Sequence, residues 1–270
     1  MKNNLFCFSE SEVKHNARVK YYMNPDGSFY PVELMVCNNS IFIEEGFESR
    51  FLNRKTATNT KKSNDSSIEQ AVCRARRKLY DLIRCNNFKW FVTLTFNDEI
   101  VERSNYNAVV KKFNQWTSNR VKRNGLCYVA VIERHHKSNG LHFHVLANDV
   151  ISLSDSGTVK CHGRKKPIKV ATADRYNIPI SDRKTVYNIS DWCYGFSTAI
   201  EITDDERGEK VAAYLKKYLT KDFEKIGGRY YYSGGLLARP IYTYTDTDFY
   251  DIEPTYEFSV AGNAYKVLKL

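Results

Sequence analysis

Residues Leu126 to Asn148 read L-C-Y-V-A-V-I-E-R-H-H-K-S-N-G-L-H-F-H-V-L-A-N. Two apolar, β-branched runs, Leu126 to Glu133 and Leu141 to Asn148, flank the polar segment Arg134 to Gly140, which predicts an antiparallel hairpin. His142 and His144 stand two residues apart on the second strand, so both imidazoles leave one face while Phe143 leaves the other. Glu133 ends the first strand nine residues before His142. Hairpin pairing can bring its carboxylate opposite one of the histidines, at a Cβ separation of about 5 Å. Two imidazoles and a carboxylate on one sheet face can clamp a divalent ion and leave positions open for a substrate oxygen and water. The competing explanation is that His-x-His is simply polar surface. His135 and His136 follow Glu133 in the turn, where ligands are held less firmly than on a strand, so solvent or DNA contact suits them better.

Outward from this hairpin, Phe88 to Phe96 reads F-K-W-F-V-T-L-T-F, a strand with Trp90, Val92, Leu94 and Phe96 on one face and Phe91, Thr93 and Thr95 on the other. Ser66 and Glu69 form a capping-box pattern, and apolar residues from Ile68 to Ile83 recur at helical spacing, predicting a helix over 67–85. A second helix is expected from Asn105 to Arg123, with Val109, Val110, Phe113 and Trp116 inward and its end at Asn124-Gly125. Residues 149–190 are a polar excursion, read as a loop or small hairpin. A strand at Tyr194 to Ile202, a helix over 206–223 ended by Gly227-Gly228, and strands near Arg229 to Tyr232 and Leu237 to Thr245 follow. The order β-α-β-β-β-α-β predicts an α+β fold, an antiparallel sheet with helices on one face. Alternation around Asn24-Pro25-Asp26-Gly27 adds a small N-terminal β hairpin. The expected division is an N-terminal β-hairpin extension over 1–50, a polar linker over 51–65, a main domain over 66–245 and an acidic C-terminal tail over 246–270.

The 270 residues carry 41 Lys and Arg against 31 Asp and Glu, a formal net charge of +10, which favours a polyanionic partner, nucleic acid before membrane. Apolar runs of about five residues fall far short of the roughly 20 a membrane helix needs. The apolar stretch near the start is too short for a signal peptide, so the expectation is a cytoplasmic protein with no membrane association. Seven cysteines, none closer than 12 residues to the next, suggest neither a disulfide framework nor a zinc knuckle. Eleven basic residues against three acids between Arg50 and Lys89 make the first helix, with Arg74 and Arg77, a surface for phosphates or simply a solvated face. The basic loop His162 to Lys169, with Lys165 and Lys166, offers a second phosphate grip. Thr93 and Thr95 can touch DNA or serve only as strand filler.

Residues 211–222 read V-A-A-Y-L-K-K-Y-L-T-K-D. On a helix, Tyr218 lies about 40° around from Tyr214 and about 6 Å further along the axis, so both hydroxyls can address one site. Lys217 and Lys221 flank them on one side and Val211, Leu215 and Leu219 on the other. A phenol with a pKa near 10 needs its anion favoured before it attacks a phosphodiester, and neighbouring ammonium groups do that. The plainer reading makes both tyrosines the edge of an amphipathic core.

Taken in order, F-V-T-L-T-F at 91–96, G-L-H-F-H-V-L at 140–146 and Y-L-K-K-Y-L-T-K-D at 214–222 resemble the three motifs of HUH endonucleases, most of all the two-tyrosine rolling-circle replication initiators of phages and plasmids. Trp192 to Phe196 and Ser233 to Leu236 also look like segments of the phage-type members, and the resemblance covers roughly residues 66–245. It implies a five-stranded antiparallel, ferredoxin-like sheet carrying the metal site with the tyrosine helix beside it. It also implies nicking of one strand of single-stranded or melted origin DNA, attachment to the 5′-phosphate, and a 3′-hydroxyl left for a host polymerase. His142, His144 and Glu133 match the ligands of a divalent metal, Mg²⁺ or Mn²⁺. Tyr214 and Tyr218 match the nucleophiles, and Lys217 and Lys221 the lysines after each. No G-x-x-x-x-G-K-[ST] phosphate loop is present, so a host helicase is implied. A non-catalytic sequence-specific DNA-binding regulator, a relaxase or transposase of the same superfamily, and a hydrolase whose metal activates water stand as alternatives.

Overall fold

The alternation of Trp90, Val92, Leu94 and Phe96 with Phe91, Thr93 and Thr95 places a strand in the middle of an eight-stranded antiparallel sheet, buried at every apolar position of the first set. The computed structural model describes residues 13–24, 26–43, 65–135, 138–164, 166–203 and 229–270. In chain order these form β1 (Lys14–His15), β2 (Ala17–Met23), β3 (Phe29–Cys37), β4 (Phe42–Ile43), α1 (Asp65–Arg84), β5 (Trp90–Phe96) and α2 (Tyr106–Asn124). There follow β6 (Tyr128–Arg134), β7 (Leu141–Ala147), β8 (Leu153–Cys161), β9 (Ile168–Lys169), α3 (Val170–Arg175) and β10 (Arg183–Ile189). The last strands are β11 (Gly195–Glu201), β12 (Tyr232–Gly234), β13 (Ile241–Thr245), β14 (Tyr256–Val260) and β15 (Asn263–Lys269). The fold is α+β, with few helices among the described residues. Its contacts divide it into two units, Met1–Lys62 with Pro240–Leu270, and Ser63–Arg239.

In the unit Ser63–Arg239 the strand order is β12-β6-β7-β5-β11-β10-β8-β9. The sequence reading expects five strands; the first five of this order are those it anticipated, and β10, β8 and β9 extend the sheet. They come from 149–190, the stretch expected as a loop or small hairpin. β8 has the sequence L-S-D-S-G-T-V-K-C and buries only Val159 and Cys161. Main-chain hydrogen bonds add such a strand to a sheet edge, while its mostly solvated side chains leave no apolar alternation to read.

The helices correct a second expectation: they lie on opposite faces. From α2, Val109, Phe113 and Trp116 pack on the face bearing Val92, Leu94, Ala130, Phe143 and Val145. Leu79, Leu82 and Ile83 of α1 pack on the other, against Val129, Val131, Leu146 and Ile202. The physical reason is written in β6 and β7, which are apolar at both parities and therefore require cover on both sides. Local signals set the ends of α2: the Asn105 side chain accepts from the Ala108 N–H at 3.2 Å, and Gly125 takes the left-handed conformation, φ 71°, that ends the helix.

In the other unit the hairpin of β2 and β3 forms as expected, within a five-stranded antiparallel sheet of order β13-β2-β3-β15-β14. Residues 246–270, expected as an acidic tail, hold β14 and β15, and β15 pairs with β3. Asp246, one of the tail's acids, accepts from the Asn16 backbone N–H at 3.0 Å, and that bond with its contact to His15 holds its carboxyl below the usual range. A small core of Met35, Cys37, Phe42 and Val267 lies on one face of the sheet. Long-range pairing between chain ends carries no local signal, so the joining of these segments was invisible to periodicity.

Phe113 is fully buried, stacks on Phe143 at 3.8 Å between centroids, and takes the edges of Tyr128 and Tyr232 at 5.8 and 5.7 Å. Phe113→Ala is expected to cost about 3–5 kcal/mol, read as a lower urea midpoint at unchanged slope. A loss under about 1 kcal/mol would show that α2 does not hold the sheet through this ring.

Candidate metal centre

β6 and β7 pair in a register that sets Glu133 across from His142 and Val131 across from His144. Glu133, His142 and His144 therefore leave the same face, the one that α1 covers further along the strands. His142 Nε2 is 3.0 Å and His144 Nε2 2.9 Å from the same oxygen, Glu133 Oε2. The two rings stand nearly perpendicular, 85°, with centroids 5.0 Å apart. One ligand atom from each residue falls within 4.8 Å of the others, the only such cluster of three among the described residues. Glu133 and His142 keep 12 and 15% of their side-chain surface exposed and His144 8%, so the cluster opens to solvent on the Glu133 and His142 side.

The cluster fits a divalent ion. Two ligands that each sit about 2.1 Å from one ion at a right angle lie about 3.0 Å apart, which is the spacing of both imidazoles from the carboxylate here. An imidazole that gives Nε2 to a metal carries its proton on Nδ1 and needs an acceptor there. Thr93, paired with His144 across β5 and β7, has its hydroxyl 3.4 Å from His144 Nδ1 and occupies that position. Phe91 stacks on the His144 ring at 5.9 Å and 23°, fixing its plane from the side of the α1 core. Thr93, read from the sequence as a DNA contact or strand filler, and Phe91, read as a strand residue, are thus the support of the second histidine.

A pocket of about 180 Å³ adjoins the cluster, lined by Thr93, Thr95, Arg103, His135, Ser138 and His142 among others. Arg103 is a residue the sequence reading did not single out. It sits in the irregular segment between β5 and α2. Asp98 holds it twice, accepting from its backbone N–H at 3.0 Å and from Nε at 2.7 Å. That grip uses one edge of the guanidinium and leaves the terminal nitrogens to an anion. No pattern in a loop marks such a residue; only the fold brings it beside His142.

His135 lines the pocket, its ring centroid 6.4 Å from that of His142, but is outside the three-residue cluster, while His136 falls outside the described residues. Arg74 and Arg77 are exposed on α1, and Lys166 is exposed in the segment between β8 and β9. Lys165 lies outside the described residues. So do Tyr214, Tyr218, Lys217 and Lys221, together with the whole expected helix over 206–223. Among the described residues, no helix is long and apolar enough to cross a membrane.

The family model for replication-associated protein ORF2 matches residues 89–223, half of the chain. The match runs from the start of β5 through the metal cluster to the expected tyrosine helix. No curated protein and no solved structure matches.

Titration calorimetry with Mn²⁺ on the full chain is expected to give binding that Glu133→Ala and His144→Ala abolish and that Thr93→Val weakens by about tenfold. Affinity untouched by Glu133→Ala would place the ion elsewhere.

Proposed function

Because the chain belongs to the family of replication-associated protein ORF2, we propose that it initiates replication by nicking one strand of origin DNA through metal-assisted tyrosine transesterification on an HUH-type fold. The observation that carries the reading is the convergence of His142 Nε2 and His144 Nε2 on one Glu133 oxygen, on an open sheet face within the matched stretch. The catalytic unit is Ser63–Arg239, which carries the cluster, since β13 at the end of the expected stretch 66–245 pairs in the other sheet, and the substrate is single-stranded or melted origin DNA.

Glu133, His142 and His144 would hold the divalent ion, which would supply Lewis-acid chemistry to the scissile phosphate. Two imidazoles with a carboxylate suit Mn²⁺ by ligand softness, and Mg²⁺ by abundance. Arg103 holds phosphate charge in the adjoining pocket. The nucleophile is the phenol oxygen of Tyr214 or Tyr218, and the nearby positive charge of Lys217 and Lys221 would favour its anion. As it attacks phosphorus, the P–O3′ bond breaks; the leaving 3′-oxygen takes a proton from solvent to become a 3′-hydroxyl, and the other fragment stays as a 5′-phosphotyrosyl ester. The ester preserves the energy of the broken bond, so a later 3′-hydroxyl can close the strand, which water attack would prevent. A host polymerase extends the free 3′ end, and a host helicase unwinds the duplex ahead of it.

A nicking assay on single-stranded DNA from the replicon's origin tests this. Expected are a protein–DNA adduct on a denaturing gel, loss of cleavage in EDTA, and a nucleotide-bearing peptide that contains Tyr214 or Tyr218. Cleavage that survives Tyr214→Phe with Tyr218→Phe would indicate a metal-activated water instead. Absence of any cleavage would indicate a DNA-binding regulator. His144→Ala is expected to lower the nicking rate at least 1,000-fold, about 4 kcal/mol of barrier, with DNA affinity within about threefold, since affinity comes mainly from phosphate contacts. Arg103→Gln is expected to reduce the slope of log affinity against log salt by about 0.7, the share of one phosphate on a single strand.

A further inference from the structure

On the face that bears the metal cluster, one cross-strand row runs Glu133 on β6, His142 on β7, Thr95 on β5 and Phe196 on β11, each directly paired with the next. The row behind it runs Val131, His144, Thr93 and Thr198. Along β5 this face passes from Phe91 to the hydroxyls of Thr93 and Thr95, and along β7 from Leu146 to His144 and His142. β6 follows the same course, from Val129 and Val131 to Glu133. Each strand is apolar where α1 covers it and polar at the open end. β11 breaks the rule: Ile202, just past its end, packs in the α1 core, Thr198 is polar, and then comes Phe196 with 75% of its surface in solvent.

The strand holds this ring firmly. Gly195, with φ 154°, lies so close to β5 that a Cβ there would stand 2.3 Å from the Thr95 carbonyl oxygen. Ser197, on the opposite face and buried, accepts the Ile189 N–H at 2.8 Å, so the neighbours of Phe196 cannot rotate it inward. Held in solvent in the same cross-strand row as His142, the ring offers a face on which a planar ligand can stack. Its backbone stands two strand spacings, about 10 Å, from that of His142, a span comparable to that between a nucleotide's base and its own phosphate. Every base has an apolar face that stacks on such a ring, and the adjacent Arg103 pocket suits the phosphate charge of the same strand.

We infer that Phe196 is a stacking platform for a base of single-stranded DNA, one that holds the nucleotide beside the phosphate at the metal cluster. The inference rests on the DNA-nicking reading for its ligand, but its test does not depend on cleavage. The three tryptophans, Trp90, Trp116 and Trp192, are all buried at 6% exposure, so Phe196→Trp adds one exposed indole as a reporter. The probe is a mixed-sequence 20-nucleotide single strand, in EDTA, with the full chain. The expected result is emission quenched by about half at saturation in Phe196→Trp and unchanged in the unsubstituted protein. Phe196→Ala is expected to lose about 5- to 150-fold in affinity, the range for one base–aromatic stack, with melting temperature and Mn²⁺ affinity retained. An indole unquenched at saturation, or Phe196→Ala binding DNA as tightly as before, overturns the inference. So does a Phe196→Ala protein that melts several degrees lower with unchanged DNA affinity, which would mean that the ring packs against protein. Quenching without any nicking of origin DNA would refute the nickase reading and leave the platform standing; nicking without quenching would do the reverse.

Discussion

Everything at the candidate site depends on the register between β6 and β7. Because side chains alternate with a period of two, a slip of one residue in β7 would turn His142 and His144 into the core under α2 and bring Phe143 out opposite Glu133. Two features oppose that slip. Phe143 is locked from the far side by its stack with Phe113 and the edge of Tyr232. Glu133, on the near side, contacts both histidines with one oxygen, a contact that exists in one register only. Core packing on one face of the sheet therefore specifies ligand geometry on the other, and an apolar cluster with no chemistry of its own becomes a condition for the chemistry.

The same register explains what was readable in advance. His-x-His and the closing Glu of the preceding strand are local features at fixed spacing, and a short polar turn between two β-branched runs leaves few ways to pair them, so the cluster was visible in the sequence. Helices α1 and α2 were legible for the same reason, since their signals lie within one or two turns. The signal for placing those helices on opposite faces was present too, though the order of elements alone pointed to one face: V-A-V-I in β6 and F-H-V-L-A in β7 are apolar at both parities, and a sheet with one wet face would not need that.

What escaped the sequence was set by distance along the chain or by the absence of a side-chain pattern. β8 and β10 join the sheet through their backbones, with a bulge at Val186 and Tyr187 and Ser156 Oγ donating to the Val186 carbonyl, and polar side chains hide such a strand. The pairing of β15 with β3 links segments more than 200 residues apart, beyond any local rule. Arg103 is an ordinary residue type in an irregular segment. It acquires meaning only from lining the pocket beside His142, a neighbour in space and not in sequence.

Along the metal-bearing face, one surface is divided between two tasks. At the end where β5 and β7 present Phe91 and Leu146, α1 excludes water and the environment is that of a core. Two residues further on, His144 is still buried at 7% exposure, and two more bring His142 and the pocket into solvent. The cluster sits on that boundary. An ion placed there would have one side walled by low-dielectric packing, which strengthens its hold on the carboxylate and on phosphate charge, and the other side open to an extended ligand. A site sunk wholly into the core could not admit a polymer, and one wholly on the surface would lose the electrostatic gain to water. The position of His144 at the limit of the α1 core, stacked on Phe91 and backed by Thr93, is where those two demands meet.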